Sequence, residues 1–101
     1  MSDLDGYREA LAADTDARLR RVKAVLEAHA GAVVEHTAES GVCRAEVDLE
    51  GNLVWVQFLV ANVMRDRDRE TLAEEVLGAI RGAQAKARTR FAALVDEAER
   101  A

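Results

Sequence analysis

The chain has 101 residues, half of them apolar and a third charged, with 19 acidic against 14 basic side chains and a net charge of −5. That length fits one domain, residues 1–101, with a modest core that self-association would help to cover. The acidic balance argues against a general nucleic-acid glue, and no apolar run approaches the roughly 20 residues of a membrane span.

The N-terminus, Met1-Ser2-Asp3-Leu4-Asp5, is acidic and lacks the basic start and apolar core of a signal peptide. The lone Cys43 has no partner for an internal disulfide, so a cytoplasmic location is expected. A long helix is expected over about 3–30. Ser2 or Asp3 supplies the N-cap, and Asp3 and Asp5 sit at the positive end of the dipole. Leu11, Thr15, Leu19, Val22 and Leu26 form one helical face. Asp14 with Arg18, and Asp16 with Arg20, are i,i+4 pairs in the favourable order. Gly31 marks the stop.

Three strands follow, at about 32–39, 42–50 and 53–60, joined by glycine turns at Ser40-Gly41 and Glu50-Gly51-Asn52. A two-residue turn at Ser40-Gly41 sets Ala38 opposite Cys43, His36 opposite Ala45 and Val34 opposite Val47. A turn at Glu50-Gly51 or Gly51-Asn52 then brings Val54, Val56 and Phe58 to that same inner face, which is apolar except for His36. The outer face carries Glu35, Thr37, Arg44, Glu46 and Asp48. The third strand breaks the pattern by sending Leu53, Trp55 and Leu59 outward. An edge strand that is apolar on both faces needs a cover, and a second subunit is the simplest one. Leu53, Trp55 and Leu59 are therefore the expected dimer interface.

Residues 61–67 read as a polar connector, with Asp66 or Asp68 as a cap and Thr71 to Glu74 as a capping box one turn later. A second long helix, about 67–100, carries its apolar stripe on Leu72, Val76, Ile80, Ala83, Ala87, Phe91, Leu94 and Ala98. Gly78 and Gly82 within it each lower helix propensity by about 1 kcal/mol, which implies a packing reason. At about 1.5 Å per helical residue and about 3.3 Å per strand residue, both helices outrun the sheet, so arms should project.

Little in the chain points to catalysis. His29, His36 and Cys43 are spaced by sevens but lack a fourth ligand and any CxxC pair. The only serines are Ser2 and Ser40, and no phosphate-loop, dinucleotide, HExxH or nucleophile-elbow motif occurs. No enzyme activity, metal or cofactor is expected. The charge distribution is more telling. Residues 17–26 contain no acid and carry Arg18, Arg20, Arg21 and Lys23; residues 76–95 contain no acid and carry Arg81, Lys86, Arg88 and Arg90. Two solvated helix faces would give the same pattern.

Ala38-Glu39-Ser40-Gly41-Val42, Ala45-Glu46-Val47-Asp48, Gly51-Asn52-Leu53-Val54, and Leu72 through Ala83 with Ala87 together resemble the YbaB/EbfC family of bacterial nucleoid-associated proteins. The arginine-rich, lysine-poor, alanine-rich usage points to an actinobacterial-type member. The resemblance implies an α+β, α-β-β-β-α fold, with an antiparallel meander flanked by long projecting helices. It also implies a tweezers-like homodimer in the nucleoid that grips double-stranded DNA with those helices. The eight basic residues above would then contact phosphates with little sequence preference. Some relatives similar in fold are linked with type VII secretion, so a protein-interaction scaffold or chaperone without DNA binding is the alternative.

Overall fold

A computed structural model describes residues 3–100. The elements are α1 (Asp3–Ala28), β1 (Val33–Thr37), β2 (Cys43–Asp48), β3 (Leu53–Phe58), α2 (Val63–Asp66) and α3 (Arg69–Arg100). The three strands form one antiparallel sheet in the order β1-β2-β3. This is the expected α+β, α-β-β-β-α arrangement, with each strand two to three residues shorter than expected. The expected Ser2 cap lies outside the described residues.

The β1–β2 register matches the expectation: Val34 faces Val47, His36 faces Ala45, and the Ala38 N–H donates to the Cys43 carbonyl at 2.9 Å. The loop is wider than a two-residue turn, because the Gly41 N–H returns to the Ala38 carbonyl at 2.8 Å. Gly41, at φ 76°, takes the left-handed position that closes it. The second turn is a three-residue loop, Leu49-Glu50-Gly51. The Asp48 N–H donates to the Asn52 carbonyl at 2.9 Å, and Gly51 sits at φ 88°. The Asp48 carboxylate holds this loop by accepting the Glu50 and Asn52 N–H groups, both at 2.9 Å. Those donors hold its carboxyl below the usual carboxylate range.

The wider loop is absorbed by a bulge. Pairing jumps from Glu46–Trp55 to Val47–Leu53, which leaves Val54 without a partner residue and sets Leu53, expected on the outer face, opposite inner-face Val47. Cys43–Phe58 and Ala45–Val56 keep the expected register.

The core is a seam between α3 and the inner face of the sheet. Val42, Cys43, Ala45 and Val47 are fully buried from below, and Ala79, Ala83 and Ala87 from above. Every residue of the expected α3 stripe is buried or half-buried. Alanines on the helix let it sit close to the strands. Gly82 takes this furthest, because a Cβ there would collide with the His36 ring. Gly78 has open space instead.

The connector holds a short helix, α2, entered through Asn62 at φ 59°. The segment reads as polar in the sequence, but Val63 joins the core and gives it an anchor. Asp68 caps α3, accepting the Thr71 N–H at 2.7 Å and the Thr71 hydroxyl at 3.0 Å. Thr71 is therefore committed inside the first turn, and the capping box starting there does not form. Arg67 closes the entry on Glu75 at 2.6 Å.

The α1 stripe needs correction. Val25 is its buried residue, with Val22 and Leu26 half-buried, while Leu11, Thr15 and Leu19 are exposed. Arg18 pairs with Glu99 rather than Asp14, and Arg20 donates to the Asp16 backbone carbonyl rather than its carboxylate. Since Arg18 lies beside Glu99 and α3 ends at Arg100, α1 residues before about 17 have no helix to pack on.

Two outcomes follow from this packing. Gly82→Ala should lower the unfolding free energy by about 1–3 kcal/mol through overpacking, against the helix-propensity gain, and His36→Ala in the same chain should recover much of it; urea unfolding measures both. Because the Asp48 carboxyl ionises below its ordinary value when folded, its stabilisation is full above the unfolded pKa of about 3.9 and is lost as pH falls through the lowered folded value. Unfolding of Asp48→Asn between pH 2 and 6 should show a shallower acid dependence than the parent.

Candidate nucleic-acid interface

Length sets the geometry. At about 1.5 Å per residue, α1 runs roughly 39 Å and α3 roughly 48 Å. The molecule measures 72 × 26 × 16 Å, with a radius of gyration of 19.9 Å. A compact chain of this size would have about 13 Å. The excess is the N-terminal half of α1, which continues past the end of α3. The two helices run antiparallel: Arg18 meets Glu99 at 3.5 Å, and Val25 and His29 lie alongside Leu94 and Ala98.

Turning about 100° per residue, each helix divides its basic side chains among several faces. On α1, Arg18 and Arg21 share a side, as their spacing implies, but that side is turned toward α3. Arg18 is paired with Glu99, and the Nε of half-buried Arg21 is enclosed without a partner. Arg20 and Lys23 stand on the opposite, exposed side. On α3, Arg81 and Arg88 point away from the seam formed by Ala83 and Ala87. Lys86 and Arg90 lie on the flank beside Val34, where they border a shallow hollow. Arg88 and Arg90 thus diverge by about 160° although they are two residues apart. The structure does not gather the eight residues into one patch. Arg20, Lys23, Arg81 and Arg88 are the ones on outward faces, and the ion pairs among the described residues leave all four without an acidic partner.

The sheet supplies the other candidate surface. Leu53, Trp55 and Leu59 are 51, 58 and 44 % exposed. Val54 and Phe58, expected on the covered inner face, are exposed as well. Two causes combine: the bulge displaces Val54, and α3 lies mainly over β1 and β2. On the outer face Arg44 ties the strands together, donating to Gln57 at 2.7 Å and meeting Glu35 at 3.6 Å.

Cys43 is fully buried, and burial together with the nearby Glu75 charge pushes its thiol pKa up. His36 lies two strand pairings away along the inner face. Among the described residues, no three His, Cys, Asp or Glu side chains gather as a metal-binding group. No helix among them is long and apolar enough to cross a membrane.

Comparison with known proteins finds no matching family model, no matching curated protein and no matching solved structure.

Cys43 should resist alkylation by iodoacetamide in the folded protein and react within minutes in denaturant. Mass spectrometry of the labelled chain at both conditions reads this directly.

Proposed function

We propose that this chain is a self-associating DNA-binding protein of the YbaB/EbfC kind, acting in the nucleoid through phosphate contacts with little sequence preference. The observation that carries the reading is the set of four outward basic side chains, Arg20, Lys23, Arg81 and Arg88, on helices of a 72 Å molecule. The element order and both glycine loops support the family resemblance. Among the described residues no helix presents a polar, base-reading face, so affinity would come from counterion release. Pairing of two chains through β3 would cover Leu53, Trp55 and Leu59 and double the basic side chains to eight.

A second reading, a protein scaffold without DNA binding, is favoured by one observation. Residues 3–16, the projecting arm, hold five acids against one arginine. An arm of that charge would repel a phosphate backbone and attract a basic protein.

Fluorescence anisotropy with a labelled 30-base-pair duplex at two salt concentrations separates the two. Binding should weaken steeply with salt, with a slope in log K of about 0.9 per phosphate contact. Arg81→Glu with Arg88→Glu should reduce binding at least tenfold while leaving the oligomeric state unchanged. Trp55→Asp should weaken both association and DNA binding. Absence of binding at 50 mM salt sinks the DNA reading and leaves the scaffold.

A further inference from the structure

α3 lies against one side of the sheet, and the opposite side carries Glu35, Thr37, Arg44, Glu46, Trp55 and Gln57. One row of that outer face stands apart from the rest. Glu35 pairs with Glu46, and Glu46 with Trp55, so two carboxylates and an indole sit side by side across the three strands. Directly opposed residues of antiparallel strands hold their Cβ atoms about 4.5–5.5 Å apart. Glu35 and Glu46 are therefore like charges in direct opposition, an arrangement that weakens a sheet.

The chain relieves only one half of this conflict. Arg44, in the neighbouring row, reaches Glu35 at 3.6 Å and donates to the Gln57 side-chain oxygen at 2.7 Å. The ion pairs among the described residues give Glu46 no basic partner. Glu46 is also half-buried, so solvent and salt screen it less than they screen exposed Glu35.

Trp55 is a second feature of different chemistry that asks for the same ligand. Its indole is 58 % exposed. A cation seated on the Glu46 carboxylate falls within the roughly 6 Å of the ring over which cation–π attraction acts. Carboxylate and indole thus both attract a cation, and the row repels phosphate. Arginine suits it better than lysine, because a guanidinium bonds a carboxylate along its edge while its plane stacks on an aromatic ring. The surroundings suit a polypeptide rather than a free amine. Thr37 and Gln57 offer polar side chains one row away, and Leu59, also exposed, follows just beyond the strand.

We infer that the outer sheet face is a docking surface for an arginine-bearing segment of a partner protein, with one guanidinium seated between Glu46 and Trp55. The inference rests on the scaffold reading's premise that the chain binds a basic protein, and supplies the partner chemistry; it does not need the exclusion of DNA. Pairing through β3 shields Trp55 along the strand edge and continues the same outer face into the second copy.

The test is titration of the full chain with a hepta-arginine peptide at 50 and 500 mM salt. Trp55 is the chain's only tryptophan, so its emission reports the site directly. Anisotropy of a labelled peptide gives the affinity in parallel. The peptide should bind at 50 mM salt, shift Trp55 emission and weaken at 500 mM. Glu46→Gln should weaken binding about fivefold or more, and Trp55→Phe, followed by anisotropy, about threefold. Arg44→Gln, which removes the competing cation, should tighten it. Hepta-lysine should bind more weakly than hepta-arginine. Asp14→Asn with Asp16→Asn on the α1 arm should leave the affinity within about twofold, with circular dichroism verifying that each variant folds. Binding that leaves Trp55 emission unchanged, or that falls with the arm changes and not with Glu46→Gln, would overturn the site while leaving a scaffold that works through its arm. Equal binding of hepta-lysine would overturn the assignment to arginine. Absence of binding at 50 mM salt would overturn the site and the scaffold's basic partner together.

Discussion

The structure depends on how closely α3 can approach the sheet. Ala79, Ala83 and Ala87 meet Cys43, Ala45 and Val47 with no exposed atom on either side. None of these side chains is larger than valine, so the seam is thin and short contacts must be satisfied along its length. Dispersion falls steeply with small gaps, which makes such a seam stiff rather than deep. His36, on the strand beneath α3, is larger than these side chains, and Gly82 is the relief cut into the helix to receive that ring. The Gln84 amide, donating to the Gly51 carbonyl at 3.0 Å, pins the same stretch of α3 to the second hairpin.

The molecule's shape follows from that seam. A three-stranded sheet gives α3 a bed only as long as its strands, so the C-terminal part of the helix runs free of it and becomes the bed for α1. The second packing is looser: Val25 is buried, its neighbours only half so, and an ion pair at the margin replaces apolar contact. The chain thus combines a rigid centre with a lightly held arm, and the arm is where opening should be easiest. The same narrow coverage explains why both sheet edges are open. One helix spans about two strands, so β3 keeps its apolar residues exposed, and β1 meets only the helix flank.

The amino-acid pattern disclosed some of this and hid the rest for physical reasons. The α3 stripe from Leu72 to Ala98 was legible because one continuous face is buried along nearly the whole helix. The pairing of Ala38 with Cys43 was legible because register parity survives a change in loop width. Leu11 and Leu19 were misread: periodicity reports which residues share a face, not whether a neighbour extends far enough to cover it. Val54 was misplaced because a bulge resets parity locally, and no single residue announces it. Phe58 kept its face but not its burial, again because coverage is a property of the partner element. The eight basic residues were visible as two acid-free runs, yet linear runs wrap around a helix. Their division between outward faces, the α1–α3 contact and the β1 flank could be reached only by placing the seam first.

The alanine seam also limits how this chain can change over time. At positions 79, 83 and 87 the side chain is already the best helix former and nearly the smallest available. A step down to glycine loosens the helix, and any step up lifts it from the strands. Drift is therefore channelled to the two flanks of α3 and the free arm of α1, where charge and length can vary at little structural expense. Descendants of this fold would be expected to keep the centre nearly fixed while altering what their surfaces recognise.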